Sequence, residues 1–105
     1  MSRAAIRYAK AIIEIATESN NTTAVNNDMK TIVSAIKESE ELKDFLSNPI
    51  VNCAVKMSAL SEIFPSLQTE TKGLFQLLLA NKRFEILSAI ATQFNTLFDI
   101  ASGIE

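Results

Sequence analysis

Apolar residues recur along this chain with the period of a helix from one end to the other, and strict alternation of the strand type is absent. Six segments carry that period: residues 2–19, 23–38, 40–47, 53–64, 67–80 and 83–102. The breaks between them have local causes. SNNTT (19–23) is polar and offers Asn21 or Thr22 as a helix start. Pro49 and Pro65 stop the segments before them, because the residue preceding a proline is pushed out of the α region. Asn52 is a good N-cap, Asn81 a plausible C-cap, and Gly103 closes the last segment. The pattern predicts an all-α fold, a compact bundle of six helices in one domain of 105 residues.

Two of the segments are too apolar for helices with a single side to bury. In the first, Arg7, Lys10, Glu14 and Thr17 crowd into roughly 80° of the wheel, and the apolar residues take up roughly 220°. An ordinary surface helix shows a stripe a little over 100° wide. The second segment is ordinary by that measure: Val25, Met29, Ile32, Val33 and Ile36 share one face. The fifth repeats the excess, with Gly73, Leu74, Phe75, Leu77, Leu78 and Leu79 around most of the wheel. Such helices are central in the bundle or covered by a partner. In the others, Leu42, Phe45 and Leu46 are expected inside, as are Val55, Met57, Ala59, Leu60, Ile63 and Phe64, and then Phe84, Leu87, Ile90, Phe94, Leu97 and Phe98.

Composition removes chemistry from the picture. There is no histidine, so the usual general base is missing, and Cys53 has no partner to activate it or to form an internal disulfide. Cys53 is expected to be a buried or half-buried small apolar residue. The acidic group Glu38, Glu40, Glu41 and Asp44 matches no calcium loop and reads as a solvated helix junction. Arg83 reads as a surface arginine that snorkels or pairs with a nearby carboxylate such as Glu85, or else as a structural or partner contact. The two glycines are isolated, so no phosphate cradle exists. No cofactor or metal is expected. A net charge of −2 without a basic stripe argues against nucleic acid. No stretch approaches the apolar length of a membrane span.

Three stretches carry a family resemblance. RYAKAIIEIA (7–16) resembles the opening element R-x-Y-A-x-A of the δ subunit of bacterial F-type ATP synthase, called OSCP in mitochondria. LKDFLSNPIV (42–51) is similar to the F-L-x-x-P element of that family, with Lys56 and Leu60 following at similar spacing. LLLANKRFEILSAIATQFNTLFD (77–99) resembles its helix–N-x-R–helix segment with the trailing F-x-x-L. The Ile12–Ile13 pair departs from the family, where relatives often carry Leu or an aromatic.

The resemblance implies a six-helix N-terminal domain of a non-catalytic stator subunit, peripheral on the cytoplasmic face of the bacterial inner membrane. It implies binding of the N-terminal amphipathic helix of an α subunit across the first and fifth helices. It also implies a second, C-terminal domain that meets the b subunits of the peripheral stalk. The sequence stops where that domain would begin, which is what a piece of a longer subunit would do. The outward set expected on the first helix is Ala4, Tyr8, Ala11 and Ile15, with Ala5, Ala9, Ile12 and Ala16 inside. A tyrosine suits an edge where its ring is covered and its hydroxyl reaches water. On the fifth helix the outward set is Glu70, Gly73, Leu74 and Leu77, with Phe75 and Leu78 inside. The competing expectation is a self-associating helical domain, its two wide faces meeting across a two-fold axis.

Overall fold

A computed structural model describes residues 3–103. Its elements are α1 (Arg3–Glu18), α2 (Thr22–Glu38), α3 (Glu40–Ser47), α4 (Cys53–Ile63), α5 (Thr69–Asn81), a 3-10 turn (Phe84–Ile86) and α6 (Leu87–Ala101). The all-α expectation holds, with six helices and no strand among the described residues. Ser2, the expected first residue of the first helix, lies outside them.

Helix α6 is the hub, packed on α1 and α2, while α5 lies against α1, α2 and α4. The faces meet as the periodicity predicts. Val25, Met29, Ile32 and Ile36 from α2 are buried with Leu87, Ile90, Ala91 and Phe94 from α6 and Ala5, Ala9, Ile12 and Ala16 from α1. Alanines along α1 let it lie close against its neighbours.

Several boundaries differ from the sequence reading. The last helix was expected to begin at Arg83, but residues 84–86 form a 3-10 turn before α6. The left-handed residue that ends α5 is Lys82 (φ 57°), one place beyond Asn81. The Arg83 N–H bonds to the Leu78 carbonyl at 3.0 Å and the Lys82 N–H to the Leu79 carbonyl at 3.3 Å, the Schellman pattern. This closure turns the chain so that Phe84 enters the core, 1% exposed. Val55 and Ile63, expected inside, are 53% and 46% exposed. Helix α4 spreads its apolar residues over more than one side, and the edge that is buried carries Lys56 and Leu60, with Phe64 just beyond the helix end.

The start of α5 is capped from another helix. Gln68 stands at the N-cap position without a side-chain capping bond of its own. Instead Asp28 on α2 accepts from the Gln68 N–H at 2.8 Å and from the buried Thr71 hydroxyl at 2.8 Å. Asp28→Ala leaves both donors without that acceptor. It is expected to cost about 1–3 kcal/mol, the penalty for an unmet buried donor, read as a lower urea midpoint with an unchanged slope.

Candidate partner-binding surface

Helices α1 and α5 run antiparallel and are tied at both ends. At one end the Asn81 side-chain amide donates to the Tyr8 hydroxyl at 2.8 Å. At the other, the Ser19 hydroxyl and the Asn21 amide (3.1 Å) donate to the Glu70 carboxylate, and Asn21 also donates to Gln68 at 3.0 Å. The ties lie eleven residues apart on each helix, about 16 Å of axis. They therefore hold one consistent register. Asn21 was expected as a helix cap; it stands at that position, but its side chain makes no capping bond and serves this junction.

Between the ties lies an apolar strip. Ile15 is 49% exposed and Leu77 40%. Ala11 and Gly73 are exposed and Tyr8 is half-buried. Arg7, Tyr8, Ala11 and Leu77 line a shallow hollow together. On the opposite shoulder of α1, Ile6 and Ile13 are half-buried and Ile13 packs on the core.

Two members of the expected outward sets are not at the surface. Leu74 is fully buried and Ala4 is 8% exposed. The register sets Leu74 abreast of Ile15, so α1 covers it. On the wheel it lies between the Glu70–Leu77 edge and Leu78, one step too far toward the core. Ala4 is a small side chain near the start of α1, and its neighbours leave little of it open although it lies outside the core cluster. The α5 part of the strip is instead Glu70, Gly73, Leu77 and Asn81. Sequence reading missed Asn81 and Ser19 as surface-building residues.

Gly73 has open space: a Cβ built there meets nothing within 4 Å. The glycine is thus not needed for helix packing. Gly73→Ala is expected to raise stability by about 0.5–1 kcal/mol, the helix-propensity difference, seen as a higher thermal midpoint.

The electrostatics of the strip are graded. Arg3, Arg7 and Lys10 are exposed on the first half of α1, and Arg7 borders the hollow with Tyr8, Ala11 and Leu77. Glu14 and Glu18 are exposed on the second half, beside Glu70. The carboxyl of Glu70 is held below the usual carboxylate range, first by the Ser19 hydroxyl, then by a backbone N–H at the helix start and by Asn21; slight burial works the other way. Among the described residues the one ion pair is Arg83–Glu85 at 3.1 Å, the pairing expected for Arg83. Arg7, Glu14 and Glu18 are thus exposed without an ion pair among the described residues, while Glu70 is held by Ser19 and Asn21.

A larger hollow, about 480 Å³, lies elsewhere, between α2, α3 and the start of α6. Val33, Ile36, Lys37, Glu40, Lys43 and Glu85 are among its lining residues. Its charges are of both signs. Cys53 is half-buried and free, and no cluster of metal-ligating side chains occurs among the described residues.

Comparison with known proteins gives one consistent match. The family described as "ATP synthase delta (OSCP) subunit" matches residues 4–105. The chain is similar to the ATP synthase subunit delta of Flavobacterium johnsoniae, 55% identical over 99% of this chain and 59% of that protein. It is also similar to the subunits of the same name from Flavobacterium psychrophilum (52% identical, 99% and 59%) and Lactobacillus johnsonii (39% identical, 94% and 57%). The chain thus spans a little under three-fifths of these relatives.

Proposed function

The chain belongs to the ATP synthase delta (OSCP) subunit family, and on that premise we propose that it is the helix-binding domain of a stator subunit. It receives the N-terminal amphipathic helix of an α subunit along the α1–α5 strip. In doing so it ties the catalytic head to the peripheral stalk during proton-driven ATP synthesis. It performs no chemistry. Contacts with the stalk b subunits belong to the C-terminal part found in longer relatives. Its place is peripheral, on the cytoplasmic face of the bacterial inner membrane; no helix among the described residues is long and apolar enough to cross a membrane.

The observation that carries this reading is the strip itself. Tyr8, Ala11, Ile15, Gly73 and Leu77 form a continuous apolar surface between two helices whose register is fixed at both ends. An amphipathic helix laid in a groove is the recognition mode that fits it. A helix of about 20 residues is about 30 Å long, within the 41 Å long axis of the domain. Apolar burial suits a static clamp under load because it is non-directional. Side-chain charge then sets the direction: acidic residues of the partner lie toward Arg7, and basic ones toward Glu14 and Glu18.

Titrating the chain with a peptide of the α-subunit N-terminus tests this. Saturable binding is expected, with NMR shifts centred on Tyr8, Ala11, Ile15, Gly73 and Leu77. Gly73→Ala is expected to weaken binding while raising stability, because a methyl group then fills space that the partner uses. No binding at high micromolar peptide, or a stable dimer in sedimentation that buries the strip, overturns the proposal.

A further inference from the structure

Tyr8 of the strip is itself held by a hydrogen bond from α5. Asn81 is exposed, the last residue of α5, and it donates to the Tyr8 hydroxyl at 2.8 Å. Among the described residues no other side chain hydrogen-bonds that hydroxyl. The chain keeps Asn81 in place by ending α5 immediately after it. Lys82 takes the left-handed conformation, which a residue with a Cβ adopts reluctantly, and the Arg83 and Lys82 N–H groups close on the Leu78 and Leu79 carbonyls. A half-buried tyrosine on a helix shoulder has alternative rotamers pointing into water. The bond to α5 selects the one that sets the ring beside Ala11 and Leu77 as the wall of the hollow.

We propose that Asn81 is a positioning residue for the docking surface: it fixes the Tyr8 ring in its receiving rotamer before the partner arrives. The part of this that concerns affinity rests on the partner reading above. The ordering of the ring is a property of the free chain. Fixing a side chain in advance removes an ordering cost from binding. Loss of Asn81 is therefore expected to weaken affinity about three- to ten-fold, while overall stability, set by the core, barely moves.

Tyr8 is the chain's only tyrosine, and there is no tryptophan, so tyrosine fluorescence anisotropy and ring NMR signals report this one side chain. In Asn81→Ala, ring signals are expected to average over several rotamers, with far-ultraviolet circular dichroism and thermal midpoint near those of the parent. Asn81→Asp, whose carboxylate accepts from the phenol, is expected to restore the ordered ring. Tyr8→Phe is expected to lose the same affinity as Asn81→Ala, and the double variant no more. An unchanged ring in Asn81→Ala, or fully additive losses, overturns the inference. If the parent chain does not bind the α-subunit peptide, the partner reading falls and the ring measurements alone decide the role of Asn81.

Discussion

Phe84→Ala is expected to destabilise the domain by about 3–5 kcal/mol, the range for deleting a wholly buried aromatic ring. Small domains are stable by about 5–15 kcal/mol in total, so a sizeable part of the fold's margin sits in this one side chain. The reason lies in how the chain delivers it. Lys82 ends α5, residues 84–86 make a 3-10 turn, and the ring enters beneath α5 with 1% exposure. There it meets the Phe75 ring edge-on, centroids 6.4 Å apart at 78°, an arrangement that adds to area burial. The turn is held by its neighbours and cannot collapse into the space left behind. In urea the expected result is a midpoint lower by about 2 M at unchanged slope. A loss under 1 kcal/mol would show that the turn relaxes and that Phe84 is not a keystone of the core. Ile50→Ala is the control: Ile50 is 90% exposed, and a change within about 0.5 kcal/mol is expected.

Residue patterning within one helix carried most of the fold. Helix α2 shows why: its apolar residues share a single narrow face, and Val25, Met29, Ile32 and Ile36 are all buried. The wheel fails where a helix is apolar on more than one side. Val55 and Ile63 on α4 look as internal as Leu60, and the packing of α4 on α5 decides that, of these three, Leu60 is the one covered. Leu74 fails for the same reason at finer scale, since which edge of α5 stays open depends on the register with α1. That register is written in pairs 73 and 51 residues apart, Tyr8 with Asn81 and Ser19 with Glu70, which no local rule connects. The end of α5 is a different failure. Rules for left-handed caps favour Gly or Asn, so Asn81 was the natural choice. The chain spends Asn81 on Tyr8 and places Lys82 in the left-handed position. Asp28 capping α5 from α2 was likewise invisible, because a cap is sought in the residues just before a helix.

Tyr8→Ala is expected to weaken binding of an α-subunit N-terminal peptide by about 2 kcal/mol, roughly 30-fold. Two effects add to that figure. A tyrosine presents about 200 Å² for burial; with the ring half-buried in the free domain, no more than roughly a third of that remains for a partner to cover. At about 25–30 cal/mol per Å² this is nearly 2 kcal/mol. The second effect is shape. The ring is one wall of the hollow with Arg7, Ala11 and Leu77, and without it a docked side chain loses contact on one side. Stability of the free domain is expected to fall by less than affinity does, because Tyr8 lies at the margin of the core and its bond to Asn81 is exposed. That separates Tyr8 from a core residue, whose loss would reduce binding only by unfolding the domain. Leu77→Ala, on the facing helix, is expected to act in the same direction and to couple with Tyr8→Ala in a double-mutant cycle, since both line the same hollow. If Tyr8→Ala binds like the parent while the parent binds saturably, the partner lies over another part of the molecule, and the shoulder of α1 that carries Ile6 and Ile13 becomes the surface to test.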